Sequence, residues 1–299
     1  MATLYTQQGS NIRKTWFLMT MFLVLVIAIG LAVSWFFNNP AIVVIAVVFA
    51  LVMNVVSYWY SDKIVLRMTG AKPVTREEYF DLYNITENLA ITAGLPMPKL
   101  YIVNDPAPNA FATGRNPEHG VVAVTSGLLQ VLDKNELEGV VAHEMAHIGN
   151  RDILVMTVAV VLAGFIAILS DFLMRSLLFG GDNRDRHPAV LIIAIVGIIL
   201  APIAAQLIQM AVSRKREYLA DSTGALLTRY PEGLASALEK ISGYTGPMKS
   251  ASHATAHMFI DDPFDGPHQK RGFMKSIGNL FATHPPAEER IARLRALDL

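Results

Sequence analysis

Charge vanishes from this chain in four places. Residues 16–37 and 40–60 hold no charged side chain, and each is as long as the roughly 20 residues a helix needs to cross a hydrocarbon core. Only Asn38 and Asn39 separate them, which predicts a tight hairpin of two spanning helices. Trp35, Tyr58, Trp59 and Tyr60 lie at the ends, where aromatic rings favour the interface. A third run is uncharged from Ile153 to Ser170 and then meets Asp171 and Arg175. It reads as a span, with a buried or membrane-surface helix as the alternative. The fourth run, 189–213, is uncharged with Pro202 inside it.

Two polar segments remain, 61–152 and 214–299. In the first, Tyr79, Leu82, Tyr83, Ile85 and Leu89 recur at helical spacing over 75–93, and Gly94 ends the pattern. Residues 99–104 and 120–125 read as strands, with 109–113 as an edge strand between them. Helix resumes near Asp133, whose Glu136 three residues on makes a capping-box pattern. In the second segment, helix continues from the membrane and again over 231–242. A Gly/Pro/His/Asp-rich loop follows over 243–271, and a short helix over 287–296 closes the chain. The plan is a mostly α membrane protein with four transmembrane helices in two hairpins (1–60 and 153–213). An α+β domain is assembled from the two polar segments, 61–152 and 214–299.

Composition agrees with that plan. Apolar residues make up 53% of the chain and charged ones 17%, against about 25% charge in soluble domains. Formal net charge is zero, so no basic field exists to gather nucleic acid. With no cysteine, thiol catalysis, disulfides and cysteine zinc sites are excluded. Arg13 and Lys14 before the first run suggest a secretion signal, but that run is too long for one and ends in bulky aromatics, so it is read as a retained span. Arg13, Lys14, Lys63, Arg67, Lys72, Arg76, Arg151, Arg214, Lys215 and Arg216 flank the spans on one side. The other side has the neutral Asn38-Asn39 turn and a loop where Arg175, Arg184 and Arg186 are offset by Asp182 and Asp185. The positive-inside rule places both termini and both polar segments in the cytoplasm.

The chemistry concentrates in His143-Glu144-Met145-Ala146-His147. On a helix, residues four apart share a face, so both imidazoles can grip one Zn²⁺ at about 2.0–2.1 Å. Glu144 sits round the helix from them, placed to act as general base on a zinc-activated water. The neighbours Val140, Val141, Ala142, Met145 and Ala146 are apolar, so the helix is buried, and unpartnered rings there would be costly. Catalytic zinc needs a third protein ligand, and Glu217 is the candidate. The helix of the motif runs into the third apolar run, and Glu217 begins just after the fourth, so a hairpin would bring them together. Asp221, one turn further on, can take the free N–H of a ligand histidine.

These residues, with the later Glu217-x-x-x-Asp221, the four spans and Thr283-His284-Pro285-Pro286, resemble the HtpX-type membrane metalloproteases. These are bacterial heat-shock quality-control enzymes of the gluzincin clan, related to CaaX prenyl proteases, and the resemblance runs along essentially the whole chain. It implies a zincin-like catalytic domain with one zinc ion per chain, held by His143, His147 and Glu217. Glu144 would be the base and Asp221 would stand behind a ligand. It also implies an inner-membrane location, a cytoplasmic active site and misfolded membrane proteins as substrates. His284 is the candidate donor to the oxyanion, with Arg290 second or structural. Asn109, Ala110, Phe111 and Ala112 could present a free strand edge to an extended substrate. The competing readings are a CaaX-like processing peptidase with one defined substrate and a metal-binding membrane scaffold that never cleaves.

Overall fold

In a computed structural model of the chain, residues 4–179, 214–251, 255–261 and 285–299 are described. Helices α1 (Leu4–Phe37) and α2 (Ala41–Trp59) form the first hairpin. Its turn is tight: Asn38 adopts φ 48°, which asparagine tolerates better than most residues, and Ser34 Oγ donates to Asn39 O at 2.8 Å. Gly30 lets the helices touch, since a Cβ there would lie 2.4 Å from Ala46 Cβ. Asn54 Nδ2 donates across the pair to Met19 O at 3.2 Å. Gln8–Trp35 and Ala41–Trp59, with mean hydropathies of 2.7 and 2.6, are long and apolar enough to cross a membrane. α1 begins well before the uncharged run, and its polar first turns dock on the rest of the protein.

After α3 (Ser61–Met68) and the two-residue strand β1 (Lys72–Pro73), α4 runs Phe80–Ala93. It starts later than its periodicity predicts because Thr75 closes a turn, donating through N–H and Oγ1 to the Glu78 carboxylate. Gly94 ends it at φ 64°, the left-handed cap that glycine supplies without strain.

Strands β2 (Lys99–Val103), β3 (Ala110–Thr113) and β4 (Val121–Thr125) join β1 in the order β1-β2-β4-β3. β3 lies at the edge, as expected for residues 109–113, antiparallel to β4 (Ala110↔Val124), while β2 and β4 pair in parallel (Lys99↔Val121). The reason lies in β4, which is buried at every position and must be covered on both faces. Leu100, Ile102, Ala110, Ala112, Val122 and Val124 pack toward one core. Val103, Phe111, Val121 and Ala123 pack toward another, with Val65, Val160 and Phe259.

Next come α5 (Ser126–Val131), α6 (Lys134–Gly149) and α7 (Asp152–Phe179). The capping box of α6 is complete: Asp133 Oδ1 accepts from Glu136 N–H at 3.0 Å, and Glu136 Oε2 accepts from Asp133 N–H at 2.8 Å. Between α6 and α7 the path bends by 83°, with Arg151 at φ 58°. The third apolar run is the first part of α7, where every side chain from Ile153 to Ala163 is buried. It packs on α1, α2, α3 and β3. Joined to α6 across that bend, the first part of α7 (Asp152–Ile166) makes a bent pair long and apolar enough to cross a membrane. The fourth apolar run lies outside the described residues. Helices α8 (Arg214–Thr228) and α9 (Pro231–Ser242) pack on α6, and α10 (Ala287–Arg295) packs on α9.

Candidate metal centre

The two histidines of α6 meet Glu217 of α8 in the interior. His143, His147 and Glu217 are all buried, and one ligand atom from each lies within 4.8 Å of the others. The two Nε2 atoms are 3.1 Å apart. Glu217 Oε2 is 3.8 Å from His143 Nε2, and Oε1 is 3.7 Å from His147 Nε2. A tetrahedral ion bonded at about 2.0–2.1 Å sets its ligand atoms roughly 3.3 Å apart, so this donor set has the right size. Gly224, two turns beyond Glu217, lets α8 approach this closely. A Cβ there would come within 3.0 Å of the His143 backbone nitrogen.

Each ring carries a carboxylate on its other nitrogen. Asp221 Oδ1 lies 2.9 Å from His143 Nδ1, and Asp152 Oδ2 lies 3.1 Å from His147 Nδ1. A carboxylate only accepts, so both Nδ1 atoms donate, which leaves both Nε2 atoms facing the shared space. Behind Asp221 stands Arg290, which donates Nε to Oδ2 at 3.0 Å and Nη2 to Oδ1 at 2.7 Å. Its Nη1 donates to Ile260 O at 2.8 Å. Behind Asp152 stands Asn11 of α1, donating Nδ2 to Oδ1 at 2.6 Å, with Arg216 Nε 3.9 Å from the same oxygen.

Among the described residues, Glu144, Asp152, Glu217 and Asp221 lie buried around the rings together with the guanidiniums of Arg216 and Arg290. Two imidazoles and a carboxylate at this spacing are donors suited to a divalent cation, so the donor set fits one.

Surroundings also move the two rings in opposite directions. Burial and the nearby Arg290 lower the His143 pKa to about 4, against the pull of Asp221. Burial also lowers His147, but the hydrogen bond to Asp152 and the charges of Glu217, Asp152 and Glu144 outweigh it and raise the ring to about 9. Asp221, despite burial, is held at about 2 by Arg290 and His143.

The structure thus brings His143, Glu144, His147, Glu217, Asp221 and Arg290 into one buried group, while His284 lies outside the described residues. Arg290 has its donors on Asp221 and Ile260, with Nη2 also 3.4 Å from His143 Nε2 and Nη1 3.9 Å from Glu217 Oε2, which commits it to holding rather than to solvent. The stretch Asn109 to Ala112 sits at the sheet edge beside α6, but that edge is not free. Ile260 N–H donates to Ala110 O at 2.9 Å, and Asn109 Nδ2 donates to Asp261 O at 3.0 Å. Sequence reasoning missed Asp152, Asn11 and Arg216. Asp152 follows His147 by five residues, off the helical repeat, and reaches the ring only because the chain bends at Arg151.

Two imidazoles one helical turn apart, an adjacent carboxylate and a third donor from another helix define a metallopeptidase type of centre. The comparisons agree, since the family model of Peptidase family M48 matches residues 77–298, and the chain belongs to that family. It is a metalloprotease, a hydrolase. A protein named Protease HtpX homolog from Caldanaerobacter subterraneus subsp. tengcongensis is 47% identical, covering 99% of each chain. Another from Thermoanaerobacter pseudethanolicus is 48% identical with the same coverage, and one from Pyrococcus furiosus is 52% identical over 85% of this chain and 86% of its own. Among solved structures, that of S. mikatae Ste24p shares the fold, with TM-score 0.51 and 17% identity over 97% of this chain and 67% of that one.

Proposed function

We propose that this metalloprotease is a membrane-embedded zinc endopeptidase that cleaves misfolded or damaged membrane proteins at the cytoplasmic face. The observation that carries the reading is the buried meeting of His143, His147 and Glu217, with Glu144 on the same helix. His143, His147 and Glu217 would hold one zinc ion per chain, a set typical of catalytic zinc with a position left for the reaction. When bound, zinc supplies Lewis-acid polarisation of the peptide carbonyl and a nucleophile at neutral pH.

The chain's own groups do the rest. Asp221 and Asp152 fix each ring with its Nε2 inward, and Arg290 fixes Asp221. The Glu144 carboxylate takes the proton of the attacking water and returns it to the leaving amine nitrogen. His284 is retained as the donor to the oxyanion. Ala110 and Ala112 offer backbone groups to an extended peptide on the outer edge of β3, which requires Ile260 to give way there. Pairing through backbone groups suits substrates that share no sequence.

Location is supported by where the site sits along α1. Gln8 and Asn11, at the N-terminal end, reach Gly149 and Asp152. Arg13 and Lys14 lie at this same end, opposite the neutral Asn38 turn. The positive-inside rule makes this the cytoplasmic side, in a bacterial inner membrane.

The test is Glu144→Gln in the full-length protein in lipid. Hydrolysis of casein and of an unfolded membrane protein should fall at least about 100-fold while zinc stays bound. Undiminished hydrolysis would reject the mechanism. Cleavage of one defined substrate only, with unrelated unfolded chains untouched, would favour a processing peptidase.

A further inference from the structure

The family match begins at residue 77, so α1 lies outside it. Even so, α1 supplies contacts that hold the end of α6 and the start of α7. Gln8 Nε2 donates to Gly149 O at 2.8 Å. Asn11 is 1% exposed, and its amide is used on both sides. Nδ2 donates to Asn150 O at 3.1 Å and to Asp152 Oδ1 at 2.6 Å, while Oδ1 accepts from Arg216 Nη1 at 3.5 Å. This pattern fixes the amide's orientation: turned over, its oxygen would face a carboxylate and its NH₂ a guanidinium.

Asp152 has a neighbour on each oxygen. Its Oδ2 faces His147 Nδ1, and its Oδ1 is 3.9 Å from Arg216 Nε. Asn11 stands between the two, with a donor on the carboxylate and an acceptor on Arg216.

We propose that Asn11 is a positioning residue of the metal centre. Its amide, donating to Asp152 Oδ1, holds that carboxylate with Oδ2 against His147. The inference rests on the reading of His147 as a metal ligand. It follows that the centre is complete only when the first turns of α1 are docked. Because α1 is also the first helix of the apolar hairpin, a chain whose hairpin has not packed holds His147 loosely and is a poor protease.

The experiment measures zinc affinity by chelator competition, together with the visible absorption of the Co²⁺-substituted protein, using the full chain in lipid nanodiscs. Asn11→Ala should weaken zinc binding about tenfold, the lower end of the effect of losing a partner directly behind a ligand, because Asn11 acts through Asp152, and shift the Co²⁺ bands. Asn11→Asp, nearly the same size, sets a carboxylate against Asp152 and should do the same; it carries the test if Asn11→Ala does not fold. Ser34→Ala, at the far end of the same helix, should change neither reading. Wild-type affinity and an unshifted Co²⁺ spectrum in a folded Asn11 variant would overturn the proposal. Glu217→Ala separates the failures. If it releases zinc while the Asn11 variants keep it, only the role of Asn11 falls. If it too retains zinc at full affinity, the metal-site reading falls with it.

Discussion

The two halves of the centre follow one plan and differ in what stands behind it. His143 is backed by Asp221, and Asp221 by a two-point contact from Arg290. His147 is backed by Asp152, and Asp152 by the neutral amide of Asn11, with Arg216 held at 3.9 Å. On the first side burial, Arg290 and the neighbouring His147 outweigh the pull of Asp221, and the His143 pKa is lowered. On the second side Asp152, Glu217 and Glu144 together outweigh burial, and the His147 pKa is raised. One carboxylate behind each imidazole is therefore common to both halves, and the other charges around each ring set them apart.

The largest effect removes what both halves share. Glu217→Ala should weaken zinc binding more than about 100-fold, beyond the range expected for partners behind the ligands, as read by metal analysis after dialysis. Next comes Arg290→Ala, which strips the cation from one half and leaves Asp221 buried with its charge. A loss of roughly 3–5 kcal/mol in unfolding free energy is expected, measured by denaturant titration of the metal-free protein. Asn11→Ala removes only a neutral donor and should cost far less by the same measurement.

The pH dependence of the metal-free protein separates the halves directly. His143, lowered to about 4, gives stability that is present above its ordinary value near 6.5 and is lost as pH falls toward 4. His147, raised to about 9, gives stability that is full below about 6.5 and is lost as pH rises toward 9. Together they place a maximum near pH 6.5. Asp152→Asn should flatten the alkaline arm and spare the acid arm, and melts from pH 4 to 9 would show it. Zinc uptake at pH 7 should release about one proton from His147 in the native chain and less in Asp152→Asn. The smallest expected change is Gly224→Ala. A methyl that close to the His143 backbone must push α8 and α6 apart by a few tenths of an ångström, and zinc binding should weaken by no more than about tenfold.

What the sequence disclosed was local. The capping box of α6, the glycine end of α4 and the first apolar hairpin depend on neighbours a few residues apart, and each formed where its pattern lies. Glu217 was reachable by one topological step. Strand order was not read, although the unbroken apolar run Val121-Val122-Ala123-Val124 carried the signal for a strand covered on both faces and set inside the sheet. Asp152 and Asn11 had no such signal. One depends on a bend through a positive φ at Arg151, and the other on a contact between residues 141 apart in the chain. An Asn before a membrane run looks like any polar flank until the fold places it.

The central claim is a zinc ion shared by His143, His147 and Glu217. Zinc K-edge X-ray absorption on the purified, lipid-embedded protein tests it most directly. The account predicts one zinc per chain with two imidazole nitrogens at about 2.0–2.1 Å and the remaining ligands oxygen. A spectrum of oxygen ligands alone, without imidazole scattering, or a folded protein that takes up no zinc, would contradict it.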